Sequence, residues 1–131
     1  IHCGDICDPK TVGLFDRWPT HFVYGNNDFD RLNLRNAMEV SGHVCHGDFG
    51  SLVVEERKIA FLHSHDERLF EKTIRSGEYD LVFYGHTHVP DVQTIGSTQV
   101  VNPGALHRAR AYTFAVVDLQ TMAVQHVPVN V

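Results

Sequence analysis

Short apolar runs alternate with amphipathic or polar stretches along the chain, the pattern of strands interleaved with helices and hairpins. Asp8-Pro9 reads as a helix start, with Asp8 as N-cap and Pro9 at the first helical position, where a missing N–H does no harm. Val12, Phe15 and Trp18 would then share a buried stripe, and Pro19 would stop the helix. Residues 21–24 read as a short strand, and the charged, Asn-rich stretch 29–38 as loop with a helical turn. A meander follows over 43–46, 51–55 and 58–62, with Glu56-Arg57 near its last turn. Asp66 caps a helix whose apolar positions Leu69, Phe70 and Ile74 have helical spacing, and Gly77 suits its stop. Residues 80–84 form a buried strand, Gly96-Ser97 turns a tight hairpin between 92–95 and 98–101, and 112–118 pairs with 122–128. The result is a mixed sheet system with few helices in a single domain, 1–131.

Composition narrows the class. The 131 residues are 43% hydrophobic and 21% charged. A chain of this length hides roughly two-thirds of its unfolded surface, enough for one core without disulfides. The longest apolar stretches, 81–84 and 113–117, fall far short of the roughly 18 residues of a membrane helix, and the N-terminus has no pattern of a secretory signal. Sixteen acidic against eleven basic side chains give a charge of −5, which disfavours a module held by nucleic-acid phosphates. Cys3, Cys7 and Cys45 fit neither a zinc knuckle nor a redox pair, so three reduced thiols and a cytoplasmic location are expected.

The chemistry gathers where apolar strands end. Residues 1–3 run into Gly4-Asp5, 22–24 into Gly25-Asn26-Asn27-Asp28, 59–62 into His63-Ser64-His65-Asp66, and 81–84 into Gly85-His86-Thr87-His88. In open α/β sheets ligands sit outside the carboxyl ends of the strands, and each of these ends in a potential metal ligand. Four of the ten histidines fall in the two H-x-H pairs; in extended backbone, positions i and i+2 face the same side. Gly4, Gly25 and Gly85 would let the backbone turn so that the next side chain faces the crevice. Carboxylate, amide oxygen and imidazole without thiolate suit borderline to hard divalent ions, and a carboxylate bridging two ions is the arrangement that hydrolyses phosphate esters. The remaining histidines read as surface or hydrogen-bonded core residues.

The order G-D, G-N-x-D, H-x-H, G-H-T-H, N-P-G resembles that of the calcineurin-like metallophosphoesterases, more narrowly the small phosphodiesterase branch similar to YfcE and Vps29. The resemblance covers essentially the whole chain. It implies an α/β, two-sheet sandwich flanked by helices, with a dinuclear site between the strand ends. Position by position, Asp5 matches the bridging carboxylate, Asn26, His63 and His86 its partners around one ion, and His88 a ligand of the other. Two divalent ions are implied, Mn²⁺ first, with Fe²⁺, Ni²⁺ or Zn²⁺ as alternatives. Asn102-Pro103-Gly104 matches a family loop and is assigned no chemistry.

Two departures qualify the resemblance. The family's opening Asp-x-His motif is absent, as though the first strand–helix unit were missing, so the chain is expected to be a piece of a longer protein or a variant with a half-built site. Asn27 stands where many relatives carry the histidine that protonates the leaving group, and an amide does not act as that acid. His65, on the face of His63, is the candidate acid, with a structural hydrogen bond as the alternative. Asp28 would either support Asn26 or a histidine, or cap the following turn. Arg108 and Arg110 read as surface arginines, with a substrate phosphate as the alternative. The expected activity is hydrolysis of a small phosphodiester by a metal-bound hydroxide, without membrane or nucleic-acid partners and with self-association allowed. The competing expectation is a weak or inactive scaffold of the same fold.

Overall fold

The computed structural model describes residues 1–130. Its elements are α1 (Pro9–Val12) with a 3₁₀ turn (Gly13–Phe15), β1 (His21–Phe22), α2 (Arg31–Val40), β2 (Val44–Cys45), β3 (Phe49–Val54), β4 (Arg57–Leu62), α3 (Glu67–Arg75), β5 (Leu81–Tyr84), β6 (Asp91–Ile95), β7 (Thr98–Asn102), β8 (Thr113–Val117) and β9 (Val124–Pro128). Five strands form a sheet in the order β3-β4-β5-β7-β6, in which β4, β5 and β7 run parallel and the two edges antiparallel.

The period of two along the central strands sorts the core into layers. Ala60, Leu62, Val82, Tyr84 and Val100 face α3, which brings Ile74, Leu69 and Phe70. Ile59, Phe61, Leu81 and Val101 face the other way, onto Val23 and the half-buried Ala115, Val117 and Val124 of the β8-β9 hairpin. A third cluster, with Ile6, Val12, Phe22, Tyr24, Leu34 and Met38, seats α1 and α2 against the far side of the small parallel β1-β2 sheet. The layers are helix, sheet, sheet, helix, the sandwich that the sequence implies.

Local signals hold where a side chain meets its own backbone. Asp8 accepts from Lys10 N at 2.8 Å with Pro9 at the helix start, Asp66 accepts from Leu69 N at 3.0 Å, and Gly77 follows α3 at φ +72°. Four expectations change. Trp18 is 62% exposed, because α1 ends at Val12 and its continuation tightens into a 3₁₀ turn. The stretch 29–38 carries a full helix, α2, capped by Asp30. The segment 43–46 leaves the meander, and its β2 pairs in parallel with β1 in the other sheet. The β3-β4 turn falls on Glu55-Glu56, both at positive φ, as tight hairpins require. Residues 1–3 contribute one parallel bridge, His2 to Phe22.

Candidate metal centre at the strand ends

Asp5, Asn26, His63 and His86 converge. His63 Nε2 lies 2.9 Å from Asn26 Oδ1, 3.3 Å from Asp5 Oδ2 and 3.2 Å from His86 Nδ1. The other ring nitrogen, Nδ1, is 2.8 Å from the Cys3 carbonyl oxygen. A carbonyl only accepts, so the neutral ring holds its proton on Nδ1 and turns the Nε2 lone pair toward the cluster. Burial holds the His63 pKa below its ordinary value, which keeps the ring neutral. A lone pair therefore faces an amide oxygen and a carboxylate oxygen, with no proton between them, and a divalent cation satisfies such a set. Among the described residues, the acid and imidazole groups alone do not close into a cage; the set reaches four only with the amide oxygen of Asn26.

Burial pushes the Asp5 carboxyl upward, but the Asn27 backbone N–H and side-chain Nδ2, donating at 2.9 and 2.8 Å, outweigh it and leave the pKa lowered. Asp28, 3% exposed, clamps the loops: one oxygen accepts from Asp5 N at 2.8 Å and Gly25 N at 2.7 Å, the other from Cys7 N at 2.7 Å. The supporting contacts of Asp28 thus run to backbone rather than to Asn26 or a histidine. Gly4 adopts φ +97°, as the turn expectation requires. At Gly25 and Gly85 the reason is space instead: a Cβ on Gly25 would overlap the Asp5 carboxylate, and one on Gly85 would stand 3.0 Å from the Cys3 oxygen. Asp5, Cys7, Ser64, His86 and His88 all occupy left-handed backbone, with φ between 59° and 78°, a conformation that takes roughly 1–2 kcal/mol from each L-residue and clusters at functional sites.

A sequence model of the calcineurin-like phosphoesterase superfamily domain matches residues 1–122. The chain belongs to that family. A phosphodiesterase from Methanocaldococcus jannaschii is 33% identical over 107 residues, which span 79% of this chain and 64% of that relative. A solved structure described as a novel archaeal phosphodiesterase superposes at a TM-score of 0.89 with 27% identity, covering 98% of this chain and 81% of that one. Vacuolar protein sorting 29 from Cryptosporidium parvum shares the fold at a TM-score of 0.60 and 17% identity, over 96% of this chain and 77% of its own.

In this calcineurin-like domain the fifth expected ligand, His88, is held separately. Its Nδ1 is 3.1 Å from the Arg108 carbonyl, so, like His63, it keeps Nδ1–H toward a backbone oxygen and leaves Nε2 open. His65 is exposed, its ring centroid 5.4 Å from that of His63 and 6.4 Å from that of His86. Asn102 was assigned no chemistry from the sequence, yet it is fully buried and ties the G-H-T-H loop in place. Its Nδ2 donates to the Gly85 carbonyl at 3.3 Å and to Thr87 Oγ1 at 2.9 Å, while its Oδ1 accepts from Gly104 N. The N-P-G signal was legible; the partners across the sheet were not. The histidines expected to be structural behave so: His2 Nδ1 accepts from Gly4 N, His43 Nδ1 from Thr20 N, and His21 and His46 share one bond at 2.8 Å.

Proposed function

We propose that this domain is a metal-dependent phosphodiesterase. The observation that carries the reading is the His63 Nε2 lone pair, fixed from behind by the Cys3 carbonyl and aimed at Asn26 Oδ1 and Asp5 Oδ2. Asp5, Asn26, His63 and His86 would hold one ion, and Asp5 with His88 the second. Bound divalent ions, Mn²⁺ first with Fe²⁺, Ni²⁺ or Zn²⁺ as alternatives, would lower the pKa of the attacking water and neutralise the phosphate oxygens. The names of the archaeal relatives favour a diester over a monoester. In the hydrolysis a water oxygen bonds to phosphorus, the ester P–O bond breaks, and the departing alkoxide takes up a proton. Asn27 keeps the Asp5 carboxylate oriented with two hydrogen bonds. His65, exposed with its ring near those of His63 and His86, would give the proton from a ring N–H. Three free thiols support a reducing, cytoplasmic setting, and no helix among the described residues is long and apolar enough to cross a membrane.

The test is hydrolysis of bis(4-nitrophenyl) phosphate with Mn²⁺ and with EDTA. Turnover only with metal is expected, together with its loss in His86→Ala; no turnover by the folded, Mn²⁺-supplied chain rejects the reading. The scaffold alternative draws on the sparse second set, Asp5 and His88, and on the fold shared with vacuolar protein sorting 29. Elemental analysis separates the two: bound ions after Mn²⁺ loading support the enzyme, and none supports the scaffold.

A further inference from the structure

We infer that His21 and His46 form a second metal site, separate from the strand ends, for a late first-row divalent ion such as Zn²⁺ or Cu²⁺. The inference is independent of the phosphodiesterase reading. His21 opens β1 and His46 follows β2, and the two rings meet across these paired strands with His21 Nδ1 2.8 Å from His46 Nε2. One proton between the two nitrogens makes a hydrogen bond; without it, two lone pairs face one point. The outer nitrogens, His21 Nε2 and His46 Nδ1, have no partner among the described residues and are open to water. The shared proton can therefore move to the outer nitrogen of its own ring, and an ion takes its place while both rings stay neutral.

The surroundings favour that exchange. Phe61 braces both rings edge-on, its centroid 6.4 Å from that of His21 and 4.9 Å from that of His46. A tetrahedral ion holds its nitrogen ligands about 3.3 Å apart, so the rings need to part by only about 0.5 Å, and both are half-exposed. Burial holds the pKa of each ring below its ordinary value, and at His46 the neighbouring His21 adds to the shift, so protons compete little for the lone pairs near pH 7. Among the described residues no third histidine, cysteine or carboxylate joins the pair. Imidazole alone suits Cu²⁺, Ni²⁺ and Zn²⁺ and leaves Mn²⁺ the most weakly held, which sets this pair apart from the oxygen-rich strand ends. Water completes the coordination. The bound ion would tie β1 to β2, a sheet of two residue pairs, through residues 25 positions apart.

Titration of the ¹⁵N-labelled protein with Zn²⁺, followed through long-range ¹H–¹⁵N correlations of the imidazoles, tests this. His21 Nδ1 and His46 Nε2 should move together to the range of coordinated nitrogens, with the protons on His21 Nε2 and His46 Nδ1. Elemental analysis gives a second readout: Zn²⁺ uptake by the parent should exceed that of His21→Gln and of His46→Gln by one ion per chain, while Mn²⁺ uptake should be the same in all three. Rings of His21 and His46 that stay unmoved by Zn²⁺, or equal Zn²⁺ uptake by parent and variants, overturn the inference. Should a variant fail to fold, the imidazole titration of the parent decides alone. A chain in which only this pair responds to metal would reject the strand-end centre and leave the inference standing.

Discussion

At the scale of single residues, the site is held from behind. Asp28 accepts three backbone N–H groups from two loops while almost fully buried. Asp28→Ala would strand all three, at ~1–3 kcal/mol for each unsatisfied buried group. Calorimetry should show Tm lower by roughly 10 °C or more; a variant melting within a degree or two of the parent would mean that the clamp does not hold the loops. Gly25→Ala places a Cβ on the Asp5 carboxylate, so isothermal titration should find Mn²⁺ binding weakened by about tenfold or more, given the dependence of affinity on ligand orientation. The candidate ligands Asp5, Asn26, His63, His86 and His88 could be nominated from the sequence because their motifs are contiguous with strand ends. The full roles of Asp28 and Asn102 could not, because beside near contacts to Gly25 N and Gly104 N they bind groups 15 to 23 positions away.

Among the elements, those announced by local chemistry were legible and those defined by distant pairing were not. Asp8-Pro9, Asp66 with Gly77, and Gly96-Ser97 each act within a few residues of themselves, and each element starts where expected, although α1 stops at Val12, short of Pro19. The helix α2 escaped notice because its buried stripe is only Leu34 and Met38 on an Asn- and Arg-rich background. That narrow stripe yields a sharp contrast. Leu34→Ala should lower stability by ~2–5 kcal/mol, as for any fully buried leucine, whereas Leu32→Ala, 79% exposed in the same helix, should stay within about 0.5 kcal/mol. Chemical denaturation of the two variants checks both, and equal losses would place the helix the wrong way round. The strand β2 was misassigned for the complementary reason: its partner is β1, 23 residues upstream, and nothing in four residues of alternating pattern names the sheet they join.

Taken as a whole, the molecule should be sensitive to mild acid. Burial lowers the pKa of His2 to about 4 and also depresses those of His21 and His46, with burial the leading cause in each. Below the ordinary value of 6.5 the unfolded chain binds protons that the folded chain resists. The stability these rings contribute is therefore complete above that pH and declines as pH falls from 6.5 toward 4. Thermal melts from pH 7.5 to 5 should show Tm falling, and His21→Gln with His46→Gln should flatten the slope; a pH-independent Tm would contradict the assignment. The layered sandwich itself was reachable from the sequence only through family resemblance, since which faces meet depends on Val23 packing onto Phe61 and Val101 across the two sheets.

The Cys3 carbonyl extends one of these findings beyond side chains. The group that sets the His63 tautomer belongs to the main chain, and every residue type supplies the same oxygen. A saturation library at position 3 would therefore report only how each side chain fits the inter-sheet core, and the position would score as an ordinary packing site. The support it gives to His63 is insulated from coding mutations. It becomes visible when the peptide bond after Cys3 is replaced by an ester, which weakens the acceptor and removes the Gly4 N–H that His2 Nδ1 accepts, while leaving every side chain unchanged.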